Sequence, residues 1–161
     1  MPKVRVIKEK GADFSFYSSS VDETKALGKK LGRALKSLDI VCLQGNLGAG
    51  KTAFVEGAAR GAGFKGDVMS PSFGLVRIYR TQKLNLYHLD LFRVSELETS
   101  EIGLEDCFGD PKGASLIEWA ASGRLYLPSD RLEISFEYQK EGRQISFRAL
   151  GARARKLLES L

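Results

Sequence analysis

The sequence predicts a three-layer α/β sandwich built on a mixed sheet with antiparallel hairpins, and three observations predict it. A short apolar run, Ile40-Val41-Cys42-Leu43, passes through a glycine-rich turn into residues with helical spacing, the strand–loop–helix unit of a parallel sheet. Two pairs of strand-like runs, Gly74–Arg80 with Leu84–Asp90 and Leu132–Tyr138 with Ile145–Ala149, are joined by short polar segments and read as hairpins. The 161 residues amount to about one domain, so residues 1–161 are expected to fold together. A chain of this size buries roughly 70% of its unfolded surface and needs no staples.

The elements follow in order. Val4-Arg5-Val6-Ile7 and Phe14-Ser15-Phe16-Tyr17 read as strand or extended edge. Ser20-x-x-Glu23 is a capping-box signal, after which Leu27, Leu31, Ala34, Leu35 and Leu38 recur at helical spacing against a core. Asp39–Leu43 is the buried strand, and the helix after the glycine turn points Phe54, Ala58 and Ala62 inward. Beyond Val68-Met69-Ser70 a proline interrupts, and Thr81-Gln82-Lys83 turns the first hairpin. Residues 96–110 hold six acids and no base, so a solvated acidic helix, capped by Ser95-x-x-Glu98, is expected over 95–108. Ala114–Glu118 is an apolar strand ending in a carboxylate. The second hairpin alternates apolar and polar residues, turns near Glu141-Gly142, and is followed by a short basic helix.

Composition narrows the function. Apolar residues make up 43% and charged residues 28%, which excludes disordered and collagen-like chains. The net charge of +5 is uneven, with acids concentrated between residues 66 and 130, but an excess of this size is ordinary surface charge. Cys42 and Cys107 form no CxxC pair, and the one histidine, His88, cannot complete a zinc site with them. Cys42 reads as a buried, inert thiol. A hydrolase with an imidazole base would have to use His88, and no GxSxG elbow accompanies it. No run approaches the ~20 apolar residues of a membrane span and no leader is evident, so a cytoplasmic protein with no membrane contact is expected.

Glycine is over-represented, at 17 residues, and three of them lie in Gly45-Asn46-Leu47-Gly48-Ala49-Gly50-Lys51-Thr52. This fits GxxxxGK[ST], the P-loop, and it stands where a P-loop must, after a buried strand and before a helix. Glycines at 45, 48 and 50 let backbone N–H groups turn inward around phosphate oxygens. The helix starting near Lys51 adds unpaired N–H groups and the positive end of its dipole. Residues Gly45 to Ala53 are therefore candidate nucleotide-binding residues, Lys51 bridging the β- and γ-phosphates and Thr52 ligating Mg²⁺. The fold is correspondingly expected to be P-loop NTPase-like. Two carboxylates end apolar strands, Asp90 and Glu118, where a sheet aims groups at a bound nucleotide. No NKxD-like segment is present to read guanine.

With these residues assembled, the chain resembles the TsaE (YjeE) family, bacterial P-loop ATPases required for threonylcarbamoyladenosine formation at position 37 of tRNA. The resemblance spans about residues 14–138 and rests on four ordered motifs: Gly45–Thr52, Ser70-Pro71-Ser72-Phe73, His88-Leu89-Asp90-Leu91-Phe92-Arg93 and Glu118-Trp119. It implies that Glu118 acts at the magnesium, directly or through water, and that Asp90 is catalytic, orienting the attacking water alongside Lys51. It implies a γ-phosphate- and metal-sensing hydroxyl at Ser72, and a place for Thr24 near the nucleotide base. TsaD and TsaB are the implied partners, with tRNA reached through them, and the chain itself is expected to be a monomer. The sequence departs from the family pattern in three places. Ser72 stands for Thr, Phe92 for Tyr, and Asn46 for Asp. His88 either positions the Asp90 strand or takes part in catalysis, Trp119 is assigned to the core, and Arg93 to an ion-paired or solvated surface.

The leading expectation is a slow, partner-dependent ATPase using ATP and Mg²⁺. A small-molecule kinase is the alternative, since the same glycine spacing serves kinases, but the segment that would carry an arginine-bearing lid is acidic. A nucleotide-dependent binding module without useful turnover is the third reading.

Overall fold

A mixed sheet organises the chain in the computed structural model, which describes residues 12–71, 75–119 and 126–161. The strand expected at Val4–Ile7 and the candidate Ser72 lie outside the described residues. At the centre is β2 (Ile40–Gly45), parallel both to β5 (Gly113–Glu118) and to β6 (Arg131–Gln139). Beyond β5 lie β4 (Asn85–Asp90), parallel to it, and β3 (Val76–Arg80), the antiparallel partner of β4. Beyond β6 lie β7 (Gly142–Leu150) and then β1 (Phe14–Ser18), each antiparallel to its neighbour. The order is β1-β7-β6-β2-β5-β4-β3. Both expected hairpins are present.

Helices α1 (Val21–Ala34), α2 (Lys51–Ala62) and α5 (Ala152–Glu159) cover one face through Leu31, Phe54 and Leu157, packed on Leu43, Leu116, Ile134 and Phe147. On the other face, Leu104 and Cys107 of α4 (Leu104–Gly109), which follows α3 (Glu96–Glu101), pack on Cys42, Leu89 and Ile117. Among the described residues, that second layer covers only the β2-β5-β4 side. Over β6 and β7 the same face carries Glu133, Ser135, Ser146 and Arg148, in cross-strand pairs Glu133↔Arg148 and Ser135↔Ser146. No helix covers these pairs among the described residues.

The α1–α2 contact accounts for four more of the surplus glycines. Gly28 and Gly32 of α1 face Gly57 and Gly61 of α2, and a Cβ at any of them would collide with a backbone carbonyl oxygen of the other helix. The helices therefore touch backbone to backbone. This seats the first turn of α2, and with it the P-loop, on α1.

Three expectations are corrected. Leu38 does not continue the α1 face: the helix ends at Ala34, and Leu38 takes φ +71 as the chain turns into β2, leaving its side chain 39% exposed. The acidic segment is two helices, broken at Gly103 (φ +71), which lets Leu104 and Cys107 reach the sheet. At the start of α1, Ser20 caps Glu23 N as expected, but the Glu23 carboxylate binds Ser19 N (2.6 Å), one residue further back than the box requires.

Candidate functional site

The P-loop leaves β2 at its C-terminal end, where Gly45, Gly48 and Gly50 take φ +149, +76 and +108 and Lys51 opens α2. These conformations favour glycine. A second reason lies across the sheet. A Cβ would stand 2.6 Å from Phe136 O at Gly45, 2.9 Å from the Tyr138 hydroxyl at Gly48, and 2.5 Å from Arg143 Nη1 at Gly50. The turn is thus shaped on one side for an anion and fitted on the other to the β6–β7 hairpin.

Parallel pairing delivers the two carboxylates beside it. Asp90 and Glu118 are register partners at the ends of β4 and β5, and both are buried. Thr52 Oγ1 stands 3.3 Å from Glu118 Oε1 and 3.5 Å from Oε2. Glu118 Oε1 also accepts from His88 Nε2 at 2.7 Å, the length of a charge-assisted N–H···O⁻ bond. His88 Nδ1 in turn meets the Tyr79 hydroxyl at 3.1 Å, and Tyr79 donates to Met69 O at 2.9 Å. Burial raises the Tyr79 phenol, so it stays a donor. His88 is fully buried, and its bond holds one oxygen of Glu118 in place. Asp90 is held differently. Its Oδ1 accepts from Phe92 N (3.0 Å) and its Oδ2 from Ser70 Oγ (3.2 Å), so it sits beside the segment leading to Ser72.

Lys51 is folded back onto the loop, donating to Gly45 O (2.5 Å) and Asn46 O (3.1 Å), with its ammonium 4.1 Å from the centre of the Trp119 ring. Burial lowers its pKa, and the Glu118 and Asp90 carboxylates partly offset that. Trp119, assigned to the core from sequence, does pack on the α4-side core, and it also forms part of this site. It follows Glu118 directly, takes the left-handed φ +56, and lies against Phe92 with ring centroids 4.6 Å apart. A bulky residue held at positive φ costs of order 1–3 kcal/mol, and such strain gathers at sites.

These groups border a cleft of about 420 Å³, lined by Val21, Leu47, Gly48, Gly50, Lys51, Thr52, Ala53, Ser70, Asp90, Phe92, Arg93, Glu118, Trp119 and Arg143. Lys51, Thr52, Asp90 and Glu118 are therefore brought together. Gly45 and Asn46 contribute carbonyls to Lys51 rather than walls, and Ala49 is buried beneath the turn. Thr24 is not brought in. It is buried under the start of α1, its hydroxyl bonded to Ser18 Oγ (2.8 Å) and Ser20 O (3.2 Å). Sequence reasoning missed Ser70, Trp119, Tyr138 and Arg143. Trp119 was signalled by adjacency to Glu118, and Tyr138 and Arg143 by polar side chains in the inward register of apolar strands.

A larger groove of about 660 Å³ opens at the other end of β2, between Arg33, Lys36, Asp39, Lys83, Asp130 and Arg153. Two of its cations are spent on backbone carbonyls, Lys83 on Arg33 O and Arg153 on Ser37 O. It assembles no reactive set, so the smaller cleft is the candidate site.

The cleft suits magnesium and a polyphosphate. The glycine cradle leaves space where side chains would stand, and Thr52 with Glu118 supplies hard oxygen donors. Among the described residues no cluster of three or more His, Cys, Asp or Glu forms a metal cage. Magnesium on a phosphate needs none, since it keeps waters and phosphate oxygens around one or two protein ligands.

The fold and this cleft define an α/β protein of the P-loop class. Residues 18–145 match the family model "Threonylcarbamoyl adenosine biosynthesis protein TsaE". The chain is 38% identical over 141 residues to the tRNA threonylcarbamoyladenosine biosynthesis protein TsaE of Bacillus subtilis, covering 87% of this chain and 88% of that one. It is 38% identical over 127 residues to the Treponema pallidum protein of the same name, covering 78% and 92%. The crystal structure of Bacillus subtilis YdiB superposes with a TM-score of 0.80 at 32% identity, covering 99% of this chain and 95% of that one. The chain belongs to the TsaE family.

Proposed function

We propose that this protein is an ATPase of tRNA threonylcarbamoyladenosine formation, whose hydrolysis of ATP drives turnover of a TsaB–TsaD complex. The observation that carries the reading is the convergence of Thr52 and Glu118, 3.3 Å apart, at the mouth of a glycine cradle with Asp90 alongside. The family membership supports the pathway, and the relatives' names supply the tRNA product.

The geometry supports the following roles. Backbone N–H groups of the turn and the first turn of α2 hold the phosphates. Lys51 exchanges two loop carbonyls for phosphate oxygens, a stronger, charge-assisted partner. Thr52 and Glu118 would hold a magnesium ion, which would supply positive charge against the phosphates. Asp90, braced by Ser70 and Phe92, orients a water toward the γ-phosphorus. The water oxygen bonds to that phosphorus as the bond to the β–γ bridging oxygen breaks. ADP keeps the bond pair, and the water's protons leave with phosphate and solvent.

The test is ATP hydrolysis by the full chain with and without the TsaB–TsaD complex, with tRNA modification followed through several cycles. The expected result is release of inorganic phosphate stimulated by the complex, and modification that stalls without this protein. Transfer of the γ-phosphate to a metabolite would replace the reading with the kinase. Unchanged phosphate release by Asp90→Ala and Glu118→Ala variants would leave a nucleotide-dependent binding module.

A further inference from the structure

We propose that Arg143 is a nucleotide-holding residue, its guanidinium gripping the polyphosphate from the β7 side of the P-loop. This rests on the cleft being a nucleotide site, and adds a residue outside all four sequence motifs. Leu132, Ile134 and Phe136 of β6, and Ile145, Phe147 and Ala149 of β7, face the α1–α2 core. The period of two carries Tyr138 and Arg143 onto the same face. They are direct cross-strand partners at the hairpin end, just beyond the apolar core. An arginine at an inward position needs an acceptor.

Its surroundings do not supply one at every donor. Arg143 Nε is buried and has no hydrogen-bond partner among the described residues. Native structures rarely leave such a group unpaired. Nη1 lies 2.5 Å from where a Cβ on Gly50 would stand, against the N-cap of α2, so a cation is laid beside the positive end of a twelve-residue helix. Two like partial charges at close range are unfavourable until an anion sits between them. Arg143 lines the same cleft as Lys51 and Thr52, and Gly50 is what admits it. The Tyr138 hydroxyl, against Gly48, braces the other side of the turn. The arrangement points to a phosphate chain held by the loop amides, Lys51 and Arg143 together.

The experiment measures binding of ADP and of inorganic pyrophosphate to the full chain by titration calorimetry, with melting temperature as a check on folding. Arg143→Ala is expected to weaken both probes about tenfold or more, the loss of a charge-assisted bond. Arg143→Lys, which keeps the charge and loses the fork, is expected to recover part of each affinity and serves as the probe if Arg143→Ala does not fold. Unchanged affinity for both probes overturns the proposal. So does weakened ADP with unchanged pyrophosphate, which would move the contact to the base or sugar. Lys51→Ala separates the two levels of the argument. If the unsubstituted chain binds both probes and Lys51→Ala abolishes that while Arg143→Ala does not, only the Arg143 proposal falls. If the unsubstituted chain binds neither, the nucleotide site falls with it.

Discussion

The two halves of the sheet build the same cleft by different means. On the parallel side, β2, β5 and β4 run together and are covered on both faces, and their C-terminal ends deliver Lys51, Thr52, Glu118 and Asp90. On the antiparallel side, the described residues cover β6, β7 and β1 on one face, and these strands reach the P-loop through the end of a hairpin. The difference teaches where chemistry and fit come from. Parallel strands point the same way, so their ends converge and side chains can share a metal. A hairpin end brings two opposed residues to one place, which suits bracing a turn.

The sharpest way to break this division is at Glu118, the proposed metal-side acid. Glu118→Gln keeps the shape and the ability to meet Thr52 and His88 but removes the charge. Turnover, measured as phosphate release in the reconstituted complex, is expected to fall about 100-fold or more, as when a preorganised electrostatic group is lost. Arg148→Gln, exposed on the antiparallel half, is expected to change it less than about twofold, as for an exposed residue away from any such feature. Equal effects would erase the contrast.

His88 tests whether the parallel half also supplies positioning. His88→Asn shortens the reach to Glu118 while retaining a donor. The magnesium concentration giving half-maximal turnover should rise about 10–100-fold, the usual consequence of losing a hydrogen bond behind a ligand. A fall in maximal rate with unchanged magnesium dependence would instead mean that His88 only fills space in the core.

How far the sequence was legible divides along the same line. The phosphate cradle, Glu118 and Asp90 were readable because phosphate geometry and strand ends constrain local residue types. The hairpins were readable from alternation. The braces were not, because Tyr138 and Arg143 continue an alternating strand, and only pairing and register show that they land on Gly48 and Gly50. Gly57 and Gly61 were visible as glycines, but their partners Gly28 and Gly32 lie on another helix, and a backbone contact leaves no local signature. The core place of Trp119 was readable because an aromatic after an apolar strand usually is core, but its second place beside Lys51 was not, since its left-handed backbone cannot be read from composition.

Stability should divide along that line as well. Leu116 in β5 is fully buried, and Leu116→Ala is expected to cost about 2–5 kcal/mol through lost burial and a cavity. Glu137 of β6 is exposed, and Glu137→Thr is expected to stay within about 0.5 kcal/mol. Denaturant midpoints at constant slope measure both. A Leu116→Ala loss under about 1 kcal/mol would mean that the parallel half relaxes around the void.

The smallest expected effect comes from the one thiol of β2. Cys42 is fully buried between β5 and β6, and burial pushes its pKa from 9.0 to about 12, with Arg131 pulling slightly down and Glu133 up. The thiol keeps its proton in the folded chain over a range where the unfolded chain loses it. Above pH 9 the unfolded state therefore binds fewer protons, and stability falls as pH rises toward 12. Below pH 9 both states hold the proton and the contribution vanishes. Between pH 8 and pH 10 the protein should lose about 1 kcal/mol that Cys42→Ala does not lose, whatever fixed cost the smaller side chain adds. Cys107 is present in both proteins, so its own titration cancels in the difference. Parallel pH profiles for the two would show that water reaches the thiol from the sheet face under α4, and the parallel half would then be no better closed than its antiparallel neighbour.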